Sequence, residues 1–195
     1  VLINQGLMKY GGDLAIGAYS NVNRIMFIFV MVVIGLNQGM QPIAGYNFGA
    51  KFYPRVTKVL KITMICATVV TTTGFVIGEF FPNAVASVFT TDSELIKQTV
   101  NGMRITMCMF PIIGFQMVAS NFFQSIGMAK KAIFLSLTRQ LIFLLPSLLI
   151  CPHFFGLNGV WMSMPIADAT ATFTSVTMLV IQFRSFKRGE RIPEI

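Results

Sequence analysis

Residues 18–45 read AYSNVNRIMFIFVMVVIGLNQGMQPIAG, a run in which apolar side chains predominate. Four more apolar runs follow, at residues 60–81, 105–126, 132–151 and 160–183. A helix needs roughly 20 mostly apolar residues to cross the hydrocarbon core of a bilayer. Each run is about long enough to do so, and the longest connection between them is residues 82–104. The sequence therefore predicts an all-α polytopic membrane protein with about five transmembrane helices.

Composition supports this class without any motif. Hydrophobic residues make up 54% of the chain and charged residues 11%, whereas a soluble domain carries about 25% charged residues. The net charge of +8 would suggest nucleic-acid binding in a soluble protein. Here the basic residues flank apolar runs, so membrane topology and anionic lipid headgroups explain them better. We expect a lipid bilayer as partner, and no nucleic acid.

The charges between the runs indicate the orientation of the chain. Eleven of the 15 lysines and arginines fall on one side if the chain passes back and forth: Lys51, Arg55, Lys58, Lys61, Lys130, Lys131, Arg139, Arg184, Lys187, Arg188 and Arg191. Basic residues stay cytoplasmic in membrane proteins. The pattern predicts that the N-terminus of this sequence lies outside and that residues 184–195 form a cytoplasmic tail.

Glycines and prolines predict where helices end or bend. Gly11-Gly12-Asp13 predicts a turn, preceded at residues 1–10 by the outer end of an earlier helix. The first run, from the turn to residue 50, would exceed about 50 Å as one straight helix. It must therefore protrude, tilt or break, and Pro42 and Gly45 are the expected break points. Three more prolines lie inside the third, fourth and fifth runs and predict static kinks or helices shaped around a cavity: Pro111, Pro146 and Pro165.

Asp168 is the only carboxylate well inside a predicted span, about nine residues from the expected start of the fifth run and hence near the midplane. A carboxylate at this depth is costly unless it is neutral, paired or facing water. Arg139 lies at a similar depth in the preceding run and is its expected partner. Two interpretations remain open, a residue that binds the coupling ion of a transporter and a structural ion pair.

An amide cluster lies in the inner part of the first run. Spacings of three and four residues place Gln41 beside Asn37 and Gln38 on one helix face. Arg24 and Met31 are roughly in line with Gln38, which indicates that this face points inward. The amides are either interhelical hydrogen-bonding groups or the wall of a polar cavity.

A second polar stripe occupies the third run. Gln116, Ser120 and Gln124 are four residues apart, and Asn121 lies alongside. Such a stripe faces protein or water rather than lipid, and packing and a cavity wall are again the two interpretations.

Signals for catalysis or metal binding are lacking in the sequence. It contains no His/carboxylate cluster and no Gly-rich phosphate loop, and its cysteines are isolated from one another. An enzyme is therefore a poor fit, and we expect no metal and no cofactor.

Residues 35–50, GLNQGMQPIAGYNFGA, resemble a run of the MATE (multidrug and toxic compound extrusion) family, near the cytoplasmic end of the second helix of its C-terminal half. Further similarity follows in order at residues 10–16, 123–127, 136–146 and 159–168, and is greatest to the MepA-like bacterial branch. Six residues match the family motif, with an implied role in cavity shaping and the helix end: Asn37, Gln38, Gln41, Pro42, Asn47 and Gly49.

The resemblance implies a fold of twelve helices in two lobes, which enclose a cavity that opens alternately to either side. Family members export cationic, apolar drugs in exchange for protons or sodium. This chain would be the MATE-like C-terminal lobe, residues 1–183, in the bacterial cytoplasmic membrane, without its N-terminal lobe and most of the preceding helix. Some members couple through acidic residues in the seventh and tenth helices, but the third run here carries no carboxylate in its core.

Two other classes remain. A lipid-linked oligosaccharide flippase or polysaccharide exporter of related fold would need a strongly basic cavity to hold pyrophosphate. Only Arg24, Arg104 and Arg139 approach the membrane interior, which favours the drug exporter. The third class is an inactive fragment or scaffold.

Overall fold

The computed structural model describes residues 2–188, and these contain helices but no strand. The predicted tail beyond residue 188, with Arg191, lies outside the described residues. The helices are α1 (Leu2–Gly49), α2 (Tyr53–Phe80), α3 (Pro82–Ser87), α4 (Ser93–Met107), α5 (Phe110–Ser125), α6 (Ala129–Leu137), a π-helical segment (Thr138–Leu144) and α7 (Leu145–Arg188).

Helix α1 breaks once, at Gly12, where φ is 64° and ψ is −160°. A positive φ suits glycine, and the turn predicted at Gly11-Gly12-Asp13 is confirmed. The break expected at Pro42 or Gly45 is wrong, because helical backbone angles continue to Gly49. Pro42 and Gln38 both lie on the exposed side of α1, so the Gln38 carbonyl has room to tilt away from the proline ring.

Helix α6, the π-helical segment and α7 together form an antiparallel hairpin, called the α6–α7 hairpin, whose turn lies inside α7. The apolar helical stretch Ala129–Phe186 contains 58 residues, which would measure about 87 Å if straight, nearly three times the thickness of a hydrocarbon core. Gly156 interrupts it with a φ of 54°. Across the turn, the Ser163 hydroxyl donates to the Ser147 carbonyl oxygen at 3.0 Å. The arms, residues 129–155 and 157–188, contain the fourth and fifth predicted runs.

The third predicted run is not one helix. Helices α4 and α5 meet at a bend of 54°, and Pro111 lies in the first turn of α5 rather than inside a continuous span. A proline has no amide hydrogen and disfavours helical angles in the preceding residue. The start of a new helix tolerates both restrictions. Asp92 caps the other end of this pair by accepting the Glu94 amide hydrogen at 2.9 Å.

By length and composition, three helical stretches could cross a membrane, or four if the bent α4–α5 pair is one span. The reversal at Gly156 divides the longest stretch into two, so all five predicted runs lie in helices of membrane-spanning character. Large exposed side chains are mainly apolar, among them Phe27, Ile65 and Phe173. An apolar exterior of this extent fits contact with lipid.

Small residues allow the helices to pack closely. A side chain at Gly102 of α4 would approach the Trp161 ring to 2.5 Å, and one at Gly114 of α5 would approach the Ala67 carbonyl oxygen of α2 to 2.7 Å. Glycine at helix crossings is typical of membrane bundles. Two buried clusters result, one around Trp161 at the predicted outer end and one around Phe122 at the predicted cytoplasmic end.

Candidate functional site

The C-terminus of α1, where the motif lies, is closed by a Schellman motif. The Phe52 amide donates to the Asn47 carbonyl oxygen at 2.8 Å, and the Lys51 amide donates to that of Phe48 at 3.0 Å. Lys51 takes the left-handed position with a φ of 60°, which is usually occupied by glycine. The side-chain amide of Asn47 also donates, through Nδ2, to the Ile43 carbonyl oxygen at 2.8 Å. Asn47 therefore lies at the helix end, and Gly49 is not the left-handed residue.

Helix α5 ends in the same way beside it. Gly127 has a φ of 80°, and the Met128 amide donates to the Phe123 carbonyl oxygen at 2.9 Å. A side chain at Gly45 of α1 would come within 2.9 Å of the Ser125 carbonyl oxygen. The motif glycine thus permits two helix ends to meet, which is a packing function.

The structure divides the amide cluster of α1. Asn37 is 4% exposed, and neither its Nδ2 nor its Oδ1 has a hydrogen-bond partner among the described residues. Gln38, Gln41 and Pro42 are exposed. Successive residues on a helix point 100° apart, so Asn37 faces the core of this lobe while Gln38 faces away from it. Arg24 and Met31 are exposed too, so this line points away from the lobe's own interior.

The polar stripe of α5 runs from the core to the surface. Gln116 is buried, Ser120 and Asn121 are half-buried, and Gln124 is exposed. The side-chain Nδ2 of Asn121 donates to the Met117 carbonyl oxygen at 2.9 Å, so a carbonyl of its own helix already satisfies this side-chain donor. The structure therefore does not bring these four side chains to one common surface.

Asp168 and Arg139 are in direct contact. The Arg139 Nε donates to the Asp168 Oδ1 at 2.6 Å, which joins the two arms of the α6–α7 hairpin. The Asp168 side chain is 5% exposed and that of Arg139 is 40% exposed. The structural interpretation of the pair requires this contact, and the ion-coupling interpretation is compatible with it.

Two further polar groups of the hairpin escaped the sequence reasoning. The Lys131 Nζ donates to the Gln182 Oε1 at 3.1 Å, and the Thr138 hydroxyl oxygen is buried without a partner among the described residues. Gln182 follows Asp168 by fourteen residues, a spacing that places both on one helix face. This spacing was the signal in the sequence that could have identified Gln182.

Among residues 2–188, no group of three or more His, Cys, Asp or Glu could hold a metal ion. A shallow pocket of about 390 Å³ opens at the predicted outer end, lined by Glu94, Lys97, Gln98, Asn101, Leu157 and Trp161. The polar residues that the sequence singled out thus lie on α1, mainly on its exposed side, along α5 and inside the α6–α7 hairpin.

The sequence profile of the MatE family matches residues 2–150, which is more than half of the chain. The chain belongs to the MatE family. Its members are transporters rather than enzymes, so the predicted family, the predicted all-α membrane fold and the absence of an enzymatic role are confirmed. The protein is a multi-pass membrane protein.

Known relatives have the same character. The multidrug export protein MepA of Staphylococcus haemolyticus is 22% identical over 176 residues, covering 90% of this chain and 38% of MepA. The solved structure of the MATE multidrug transporter DinF-BH in complex with R6G is 42% identical, with a TM-score of 0.80, over 92% of this chain and 40% of that protein. An inward-facing MATE family transporter of the MOP superfamily has a TM-score of 0.88 at 18% identity, covering 97% and 44% respectively, a likeness of fold alone.

The chain spans about 40% of the length of the relatives and solved structures that it matches.

Proposed function

We propose that this chain is the C-terminal lobe of a secondary active multidrug exporter, which moves amphiphilic or cationic drugs by alternating access in exchange for protons or sodium. The observation that carries the proposal is the open face of α1. Arg24, Met31 and Gln38 are seven residues apart and exposed, and this spacing forms one stripe along the helix.

Ile28, Gly35 and Pro42 follow the same spacing beside the first three residues and are partly or fully exposed. We call these six residues the open stripe. A guanidinium and an amide that faced hydrocarbon would be costly, so the stripe faces water or protein. Apart from the adjacent helix backbone, no atom of residues 2–188 lies within 4 Å of a side chain built at Gly35, so the space above the helix is open there. The stripe's polar, apolar and methionine groups suit amphiphilic molecules of varied shape.

One exposed helix face cannot enclose a cavity without a second surface opposite it. Since the relatives are more than twice as long as this chain, we assign the opposite wall to the protein's own N-terminal lobe, packed across the open stripe. The R6G complex of DinF-BH supports a small-molecule ligand for the cavity between them. Alternating access would then be a movement of one lobe against the other.

The orientation follows from charge. Lys51, Arg55 and Lys58 are exposed where α1 ends and α2 begins, and Lys130 is exposed at the start of α6. The first of these segments lies beside the C-terminus of α5, and the second directly follows it. We place this end in the cytoplasm and the N-terminus of the chain outside, in the bacterial cytoplasmic membrane.

The deciding experiment measures ethidium retention in an efflux-deficient bacterium that expresses the complete gene. We expect the protein to lower retention, and a protonophore or sodium-free buffer to abolish the effect and thereby name the ion. Gln38→Leu should weaken efflux at unchanged membrane expression. Thr73→Val is the matched control, because Thr73 is exposed on α2 and its hydroxyl donates to its own helix at Val69.

Unchanged retention at normal expression would overturn the proposal and favour the oligosaccharide flippase or the inactive fragment. Efflux that survives collapse of both ion gradients would overturn the coupling.

A further inference from the structure

A line of polar side chains runs inside the α6–α7 hairpin. It consists of Lys131, Thr138 and Arg139 on the first arm and Asp168 and Gln182 on the second, and we call these five residues the polar seam. The Arg139–Asp168 pair forms one end, and the Lys131–Gln182 hydrogen bond of 3.1 Å forms the other. The second end lies near the cytoplasmic surface in the proposed orientation.

The seam reaches from mid-membrane depth to that surface. Asp168 and Gln182 are fourteen residues apart on one helix, a rise of about 21 Å. On the opposite arm, Thr138 directly precedes Arg139 and therefore lies at the Asp168 end of the seam. On the second arm, the buried Ser175 lies seven residues from both Asp168 and Gln182, and its hydroxyl donates to the Ala171 carbonyl oxygen. Polar groups thus occur at both ends of the seam and, through Ser175, between them.

Two atoms of the seam lack the hydrogen bonds that buried groups require. Thr138 is 4% exposed and Gln182 is 2% exposed. The Thr138 Oγ1 and the Gln182 Nε2 have no partner among residues 2–188. Buried polar groups in proteins are almost always satisfied, by ordered water where no protein group is in reach. These two atoms therefore mark places for water.

The backbone loosens at the same point. The segment Thr138–Leu144 is π-helical, and the Leu145 amide donates to the Gln140 carbonyl oxygen, five residues back. A π-helical turn is wider than an α-helical turn and is frequently found at functional sites. The widening begins at Thr138 and Arg139, beside the buried carboxylate.

We propose that the polar seam holds water that connects Asp168 with the cytoplasmic surface, and that a proton leaves Asp168 by this route. This use of the seam rests on the proposed function. In the step, the O–H bond of the protonated Asp168 carboxyl breaks, a seam water takes the proton, and the carboxylate restores its pair with the Arg139 guanidinium, which stays charged throughout.

The charged groups around Asp168 fit the proposal that this residue alone carries the proton. Arg139 is the charged group in contact with Asp168, and the charge of Asp168 reaches the Cys108 thiol at the bend between α4 and α5. Helix α5 contains no charged residue, and the charged residues of α1 and α4 are exposed. At the exit, Gln182 and the Phe123 ring hold Lys131, and Lys130 and Arg184 are exposed nearby.

Hydration is tested by cysteine labelling, which does not depend on transport. In the complete protein with its native cysteines replaced by alanine, Thr138→Cys is exposed to a small cationic methanethiosulfonate from the cytoplasmic side of membrane vesicles. The control is Thr71→Cys, because Thr71 is fully buried and its hydroxyl is bonded to the Ala67 and Pro111 carbonyl oxygens. We expect Thr138→Cys to react at least about tenfold faster. Equal rates would overturn the seam.

Proton use is tested with reconstituted protein and a pH dye inside the vesicles. Thr138→Val should slow drug-driven proton movement several-fold while the dissociation constant of ethidium stays unchanged. Thr63→Val is the control, since the buried Thr63 hydroxyl already donates to the Val59 carbonyl oxygen. Equal proton movement in the two variants would overturn the route, even if labelling shows water. Absent ethidium transport in the unmodified protein would instead overturn the proposed function and leave the labelling result valid.

Discussion

Unequal burial within the Arg139–Asp168 pair predicts unequal consequences when either partner is removed. Arg139→Met leaves a carboxylate that is 5% exposed without its cation, whereas Asp168→Asn leaves a guanidinium that is 40% exposed. Removing one partner of a fully buried pair costs about 3–5 kcal/mol. Because Arg139 is partly open to its surroundings, we discount this to about 2–3 kcal/mol for Arg139→Met.

The cost of Asp168→Asn should be smaller, at about 1 kcal/mol, because asparagine still accepts a hydrogen bond and the guanidinium can turn to its open side. Thermal unfolding of the purified complete protein measures this difference. About 2–4 °C per kcal/mol is expected for 150–250 residues, and the shift becomes smaller as the chain becomes longer. In the longer complete protein, the Arg139→Met variant should therefore melt at least about 1 °C below the Asp168→Asn variant.

The control is Arg104→Met, whose Nε lies 3.9 Å from the Glu79 carboxylate with both side chains more than a third exposed. It should change stability by less than about 1 kcal/mol. The reasoning fails if Asp168→Asn costs as much as Arg139→Met. In that case the open side of Arg139 would face hydrocarbon, where a free guanidinium is costly. Arg139 could then not turn away from Asp168, as the proposed release of the proton through the seam requires.

Three further predictions concern packing and helix ends, and each is measured as the midpoint of thermal unfolding. Gly102→Ala should cost about 1–3 kcal/mol, because its methyl group would meet the Trp161 ring; an unchanged midpoint would show that the ring can move aside. Gly45→Ala should destabilise relative to Gly39→Ala, since only the former meets a backbone atom, and equal midpoints would contradict the close approach of α1 and α5. Lys51→Gly should stabilise by about 1 kcal/mol, because glycine adopts a positive φ without strain, and a lower midpoint would mean that the lysine side chain contributes more than its backbone strain costs.

Hydropathy and the depth of residues within the predicted spans were sufficient to predict the overall fold and one side-chain contact. Apolar runs of membrane-spanning length predict the helices, because lipid leaves the backbone few alternatives. Consecutive spans with a short connection must be antiparallel, so two charges at equal depth, Arg139 and Asp168, were expected to meet. Neither step depends on the rotation of a helix about its own axis.

The sequence could not predict features that do depend on rotation or on local backbone angles. Asn37 and Gln38 differ by 100° around α1, and only packing against α2 and α5 decides which of them is buried. Pro111 predicted a kink, but hydropathy is continuous across Cys108 and Met109, so the end of one helix and the start of another at this point were hidden. A π-helical turn has no compositional signature, and Lys51 at a left-handed position contradicts the usual preference for glycine.

The open stripe and the polar seam lie on different helices, so an exporter that uses both needs a mechanical connection between them. The described residues contain a candidate at the cytoplasmic end. Phe186, four residues after Gln182, stacks on Tyr53 with ring centroids 5.0 Å apart and lies 6.0 Å from the Phe48 ring, near the end of α1. Packed aromatic rings have few alternative arrangements. A change of pairing in the seam that shifts the second arm would therefore displace the end of α1, and with it the wall that carries Gln38.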